Sequence, residues 1–548
     1  MTTAYAIPER RIWPEAAPRT VYAVASGDLR LAANTTCWPA QQAFEERVRA
    51  ALADRGWRLQ RAHGVDPVTG HGFIDSQARG IEVFRSVPKE APVVVVDAVW
   101  QYSHHVLAGL RAHRGPILLI ANWEGRFPGL VGLLNLTASL TKAGIEHSTL
   151  WSRDLTDEWA LGKLDEWLET GSIHHETPHV RDLGALHETD EARLGMALAE
   201  QLRDDHAVIG IFDEGCMGMY NAIIDDEILN ATGIYKERLS QSALLAEMER
   251  VPAEEAGAAL VWLEQAGLTF HWGEDAATEL TREQVLSQMR MYIAALRIGD
   301  DYSIDAIGIQ YQQGLKDQCA ASDLAEGLLN NVERPPVRSR DGERELWAGA
   351  PLPHFNEVDE GVAVDALVTN RVWTAMGFDP ATTLHDIRWG EDYEGEFVWV
   401  FEISGSVPAS HNGGYDKSYS MRQVPMFFPR GGGTLAGVSK PGEIVWSRVF
   451  VTDGVLHADI GRAHVVELPE AETRRRLEST DRQWPIMHAV LHGVSRNQLM
   501  ARHKSNHIQV AYAPDAEAAD RGLEAKAAMF AGMGIEVHLC GDVALQTS

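Results

Sequence analysis

Three residues far apart in this chain have the types and surroundings for hard-metal chemistry: Glu357, Asp386 and His507. His507 follows Ser505 and Asn506 and opens the apolar, strand-like run IQVAYA, a place from which a ring can face a pocket. Glu357 lies in HFNEVDEGVAVDALVTN and Asp386 in TTLHDIRWG, each where an apolar run meets a polar one. Two carboxylates and one imidazole suit Mn²⁺ or Mg²⁺ better than a structural zinc, which usually brings cysteines. Singly, each residue has an ordinary reading. A histidine at a strand start is commonly hydrogen-bonded in the core or exposed, Glu357 and Asp359 fit a solvated acidic loop, and Asp386 fits a turn after Thr382 and Thr383.

Words around these residues resemble the L-fucose isomerase family, metal-dependent aldose-ketose isomerases. Asn356-Glu357-Val358-Asp359 with Gly361-Val362-Ala363 resembles the family's acidic loop entering a helix, and His385-Asp386-Ile387-Arg388-Trp389 its second carboxylate strand. Gly413-Gly414-Tyr415 with Val424-Pro425-Met426 resembles its glycine-rich substrate loop, and Ser505-Asn506-His507 its Asn-His strand, in the family's order. Further upstream, Ile209-Gly210-Ile211-Phe212 into Glu214-Gly215-Cys216, Gly308-Ile309-Gln310, and Asn122-Trp123-Glu124 through Arg126 are similar to three more of its loops. The likeness thins before about residue 90. The 29-position spacing from Glu357 to Asp386 and the loops around 385–412 depart from the pattern, which leaves substrate choice open.

The resemblance implies a sugar isomerase that moves a proton between C1 and C2 through an enediol. Glu357, Asp386 and His507 would hold Mn²⁺, with Mg²⁺ or Co²⁺ as alternatives, and the two carboxylates would flank the reacting carbons. Asn506 would orient its strand or a sugar hydroxyl. Tyr415, Trp389, Arg388, Arg422, Gln310, Trp123 and Arg126 are the expected substrate contacts. The resemblance also implies a homo-oligomer, a hexamer, in which Trp123 or Arg126 completes the pocket of an adjacent chain. Arg388, Lys417, Arg422, Arg430 and Lys504 make the C-terminal region locally basic. Surface salt bridging explains them, and so does an anionic sugar, since arginine grips sulfonate or phosphate through paired hydrogen bonds; the second reading points to an isomerase of a sulfonated aldose such as sulfoquinovose. A non-catalytic sugar-binding sensor is the alternative from another class.

The elements that must position these residues read as an α/β chain: two doubly wound, Rossmann-like parallel-sheet domains (1–175 and 176–345) and a C-terminal mainly β domain (346–548) with the metal site. Apolar runs at 92–97, 116–122, 208–213 and 306–310 predict buried strands, and amphipathic segments at 41–55, 191–204 and 282–297 predict helices. Asn122, Glu214 and Gln310 fall at strand ends, where ligands of such sheets sit. The Pro-, Arg- and Gly-rich text of 331–353 marks a boundary, beyond which 397–403, 444–451 and 463–468 read as strands. No GxGxxG turn follows a strand, so a nucleotide cofactor is not expected, and Gly431-Gly432-Gly433 reads as a loop.

At 548 residues the chain exceeds one ordinary core. A net charge of −29 excludes a nucleic-acid partner, because phosphate backbones are bound by basic faces, and the acidic segment 154–169 reads as a solvated helix. Cys37, Cys216, Cys319 and Cys540 form no CxxC pair, so neither a disulfide framework nor a zinc cluster is expected, and Cys216 reads as a small packing residue. The charged, proline-containing N-terminal segment lacks a signal-peptide core and no run approaches about 20 apolar residues, so a cytoplasmic, membrane-free setting is expected.

Overall fold

Short runs of consecutive apolar residues bury both faces of the first sheet. In the computed structural model, which describes residues 7–543 and 545, with only the backbone of Cys216, β1 (Thr20–Val24), β2 (Arg58–Arg61), β3 (Val93–Asp97), β4 (Ile117–Asn122) and β5 (Ser148–Ser152) pair in the order β2-β1-β3-β4-β5. Every pairing is parallel, and β1, β3, β4 and β5 are buried throughout, as a sheet covered on both faces requires. The order reverses between β1 and β3, which opens a crevice at their carboxyl ends. The expected strands at 92–97 and 116–122 are β3 and β4. The helix expected at 41–55 starts earlier, spanning Leu31–Ala53 across Pro39.

After β6 (Val180–Asp182) come β7 (Ala207–Phe212), β8 (Ile234–Leu239), β9 (Thr269–Phe270) and β10 (Ala306–Ile309). A second parallel sheet has the order β10-β7-β8. The helices expected at 191–204 and 282–297 are Asp190–Asp205 and Arg282–Asp301; a reciprocal Thr281–Gln284 capping box fixes the start of the latter.

The remaining strands are β11 (Thr382–Tyr393), β12 (Glu396–Glu402), β13 (Tyr419–Ser420), β14 (Gly442–Thr452), β15 (Val455–Val465), β16 (Ile486–Leu491), β17 (His507–Tyr512) and β18 (Glu536–Cys540). The order β14-β17-β11-β12-β16-β15, with β14 pairing back onto β15, closes six antiparallel strands into a ring. Closure removes the free edges that an open sheet would expose. The β14–β15 hairpin turns through Asp453-Gly454, whose φ values of 51° and 76° suit the two-residue turns that Asp-Gly favours. β18 adds to β15 in parallel and β6 adds to β18, so a segment near residue 180 completes the C-terminal sheet. The strand expected at 463–468 stops at Val465.

A helix that is buried on all sides joins the layers. Gly129–Lys142 is buried at every residue from Gly129 to Leu140, the property of a core helix rather than a surface one. Leu130, Leu133, Leu134, Leu136 and Leu140 share one core with Val93, Val95 and Leu119 of the first sheet and Trp399, Phe401, Trp446 and Ile508 of the ring. Burying each leucine contributes about 1.5–3 kcal/mol, enough to dock the first sheet firmly on the ring. The chain is thus α/β, with parallel sheets and one mixed sheet, and among the described residues no helix is long and apolar enough to cross a membrane.

Candidate metal centre and pocket

His507 is the first residue of β17 and stands in register with Asp386 on β11, so the closed ring itself brings these two together. Its Nδ1 lies 2.7 Å from Asp359 Oδ2. A carboxylate only accepts, so Nδ1 carries a proton and Nε2 faces the other way. Asp359 is itself anchored: it caps the helix Glu360–Met376, accepting from the backbone N–H of Gly361 (3.0 Å) and Val362 (3.2 Å), and it accepts from Arg448 Nη1 (2.6 Å) and Nη2 (3.1 Å). All three side chains are buried. The solvated-loop expectation for Asp359 is therefore corrected. Its signal was legible, since an Asp directly before an apolar helical run is an N-cap.

On the open side of the ring, His507 Nε2 lies 3.6 Å from Glu357 Oε2 and 3.8 Å from Asp386 Oδ1. Glu357 sits in the turn Asn356–Val358, where it and Val358 both have φ of 58°. Left-handed backbone at two successive non-glycine residues, one of them β-branched, is costly and is found where a side chain must be aimed. Ser404 Oγ donates to Glu357 Oε1 (3.2 Å), and Asn506 Nδ2 donates to Asp386 Oδ1 (3.0 Å). Just past Asp386 the β11–β12 register slips, leaving Arg388 as the extra residue of a bulge, and both Asp386 and Arg388 line the pocket.

Burial pushes the Glu357 carboxyl up to about 7, His507 opposing and the Asp386 charge adding to the rise. Burial also raises Asp386. Burial works against charge on both His507 and Asp359, yet their mutual contact, with Arg448 beside Asp359, holds His507 above its ordinary range and Asp359 well below the usual carboxylate range.

Glu357, Asp386, Ser404 and Asn506 line a cavity of about 640 Å³, mouth included, while His507 and Asp359 lie outside its lining. Its other walls come from the carboxyl ends of both parallel sheets: Arg30 after β1, Val99 and Trp100 after β3, Arg126 and Phe127 after β4, Met217 after β7 and Gln312 after β10. Phe427 and Trp484, stacked on each other at 6.3 Å, complete its walls. Arg30 is held by Asp28 (Nε to Oδ1, 2.7 Å) and lies over the Phe427 ring at 4.8 Å.

Several expected substrate contacts stand elsewhere. Arg388 borders the cavity, but Glu402 (3.0 Å), Asp481 (2.8 Å) and the carbonyls of Gly125 and Arg126 already occupy its guanidinium. Arg422 donates to the carbonyls of Ala276, Gln423 and Pro429, and Arg430 to that of Asp317, so both act on the backbone. Trp389 and Trp123 belong to the core; Trp123 donates to the Gly390 carbonyl at 2.7 Å. Tyr415 donates to the Glu333 carbonyl (2.7 Å) and borders a different groove. Gln310 is fully buried and accepts from the Gln312 N–H, leaving Gln312 as the neighbour that reaches the cavity. Lys504 is outside the lining, Lys417 is exposed beside Asp416, and Glu214 pairs with Arg238 at 2.9 Å. Arg126 lies at the mouth of its own chain's cavity. Cys37, given no site role from the sequence, also lines it, and the Cys216 side chain is outside the described residues.

The donor set fits a hard divalent cation. Ligands bound at about 2.0–2.2 Å in an octahedral shell lie about 3 Å apart, and the gaps from Nε2 are slightly wider. Among the described residues only another trio has all its donor atoms within 4.8 Å of one another. No protein-family model matches this chain, and no curated protein matches it.

Proposed function

We propose that this protein is a divalent-metal-dependent isomerase interconverting an aldose and a ketose. The supporting observation is His507, whose Nε2 is aimed between Glu357 and Asp386 while Asp359 and Arg448 lock its other nitrogen. We read the architecture as two doubly wound α/β units set against a β ring, with the reaction at their junction. Glu357, Asp386 and His507 would hold Mn²⁺, with Mg²⁺ or Co²⁺ as alternatives. When bound, the ion supplies Lewis-acid polarisation of the sugar carbonyl and its neighbouring hydroxyl.

The chain's own residues do the rest. Glu357, aimed by its strained turn and steadied by Ser404, takes the proton from C2 and returns it at C1, while the hydroxyl proton on O2 passes to O1. Asn506 holds Asp386 in orientation, and Phe427 and Trp484 exclude water from the exchanging proton. Arg126, exposed at the mouth, favours a second reading within the same class, in which the sugar carries an anionic group.

The test is an isomerisation assay on metal-stripped and Mn²⁺-restored protein with neutral and anionic aldoses in D₂O. Metal-dependent ketose formation with deuterium at C1, lost in Glu357→Gln, is the expected result. Sugar binding without metal and without turnover would replace the isomerase by a sensor.

A further inference from the structure

A second cluster of nitrogen and oxygen donors lies outside the cavity. His457 on β15 stands in register with Glu536 on β18, and His538, two residues along, projects from the same face. Their donor atoms all lie within 4.8 Å of one another: His457 Nδ1 is 3.0 Å from His538 Nε2 and 3.4 Å from Glu536 Oε2. None of the three lines the Glu357 cavity.

The rings are held for this geometry. Asp182, paired with His538 in the β18–β6 register, has Oδ1 2.7 Å from His538 Nδ1. A carboxylate accepts, so Nδ1 carries a proton and Nε2 is turned toward His457. Carboxylates orient metal-bound histidines in this way. His457 stacks on His538 (5.3 Å, 14°) and on Phe450 (5.4 Å, 18°), which fixes its plane. The two histidine side chains are 12% and 13% exposed and Glu536 is 60% exposed, so two ligands are preset and a third can swing in from solvent.

We infer that His457, His538 and Glu536 form a binding site for a borderline transition-metal ion, Zn²⁺ above all, with at least one position left to water. Two imidazoles and one carboxylate are a zinc donor set, whereas Mn²⁺ and Mg²⁺ prefer oxygen-rich shells. The ion cross-links β15 to β18 and, through Asp182, steadies β6, the strand that comes from far upstream. The competing explanation of the 3.0 Å contact is a plain hydrogen bond between two neutral imidazoles.

The experiment uses tag-free, metal-stripped full-length protein carrying Glu357→Gln and Asp386→Asn, which removes two carboxylates from the other site. Zn²⁺ is titrated by calorimetry and Co²⁺ by its visible absorption. One Zn²⁺ per chain, with tetrahedral-type Co²⁺ bands, is expected. His457→Gln and His538→Gln should each abolish both signals, and Asp182→Asn should weaken Zn²⁺ about 10- to 100-fold. Absence of stoichiometric Zn²⁺ on this background overturns the assignment, and so does binding that the histidine variants leave unchanged. If His538→Gln fails to fold, His457→Gln and Asp182→Asn decide alone.

Discussion

Replacing Asp359 by asparagine separates the positioning of His507 from mere packing. The carboxylate does three things at once: it caps a helix, neutralises Arg448 and orients His507. Asparagine keeps an oxygen for the cap but loses the charge, leaving a guanidinium only 1% exposed without its partner. Breaking a buried pair in this way costs about 3–5 kcal/mol of stability. Loss of the carboxylate behind a metal-binding histidine weakens metal binding about 10- to 100-fold, about 1.4–2.7 kcal/mol. Arg448→Met is the control. It breaks the same ion pair and costs comparable stability, but it leaves the 2.7 Å bond between Asp359 and His507 in place. Urea unfolding measures the first quantity and electron paramagnetic resonance of free Mn²⁺ the second. A folded Asp359→Asn protein that binds Mn²⁺ like its parent refutes the positioning argument, as does an Arg448→Met protein that loses just as much affinity.

Arg126→Ala, in steady-state assays on the anionic-sugar reading, should raise KM for an anionic aldose about 10- to 150-fold, the equivalent of about 1.5–3 kcal/mol for a charge-assisted hydrogen bond; equal KM changes on neutral and anionic sugars would reject that reading. Burial pushes His63 down to about 2, His354 to about 3 and His488 to about 4. These stay neutral when folded but take up protons near pH 6.5 when unfolded, so stability falls as pH drops below that value, by up to about 1.4 kcal/mol per pH unit for each. His488→Gln should flatten the pH 7 to 5 slope in urea unfolding, and an unaltered slope would contradict the linkage. Gly129→Ala places a Cβ 1.9 Å from the Asp97 carbonyl and 2.3 Å from Asn122 Oδ1, and should cost at least about 1–3 kcal/mol. Gly162→Ala, in an open helical position, should instead stabilise by about 0.5–1 kcal/mol; thermal unfolding of the pair gives the contrast, and equal shifts would contradict it.

What could be read in sequence was local. Runs such as PVVVVD and PILLIAN carry their burial in their composition, and the parallel strands stand where those runs lie. Glu357, Asp386 and His507 each mark a junction of apolar and polar text; the ring sets Asp386 beside His507, and the turn hung from β10 brings Glu357 to them. Pairings between distant segments were not legible. Nothing in Val180–Asp182 announces that it joins β18, and nothing in β14 announces that its two neighbours close a ring. Arginine content misled for a related reason. Arg422 and Arg430 look like an anion site in sequence, but carbonyls supplied by the fold engage them, while Arg30 and Arg126, from the first sheet's crevice, reach the cavity.

The costly turn at Glu357 shows how the fold sustains the site. On one side, Phe355 N–H donates to the Ile307 carbonyl (3.0 Å) and Ile307 N–H to the Pro353 carbonyl (2.9 Å), so the turn hangs from β10. On the other, Asp359 is fixed to the first turn of a buried helix and to Arg448 of β14. With both ends clamped, two successive left-handed residues are held although each costs on the order of 1–3 kcal/mol. Relaxing Glu357 into a helical or extended backbone would require pulling Phe355 off β10 or Asp359 off Arg448. The same residue that clamps the turn also orients His507, so the carboxylate of Glu357 and the imidazole opposite it are positioned by one buried ion pair and cannot drift apart independently.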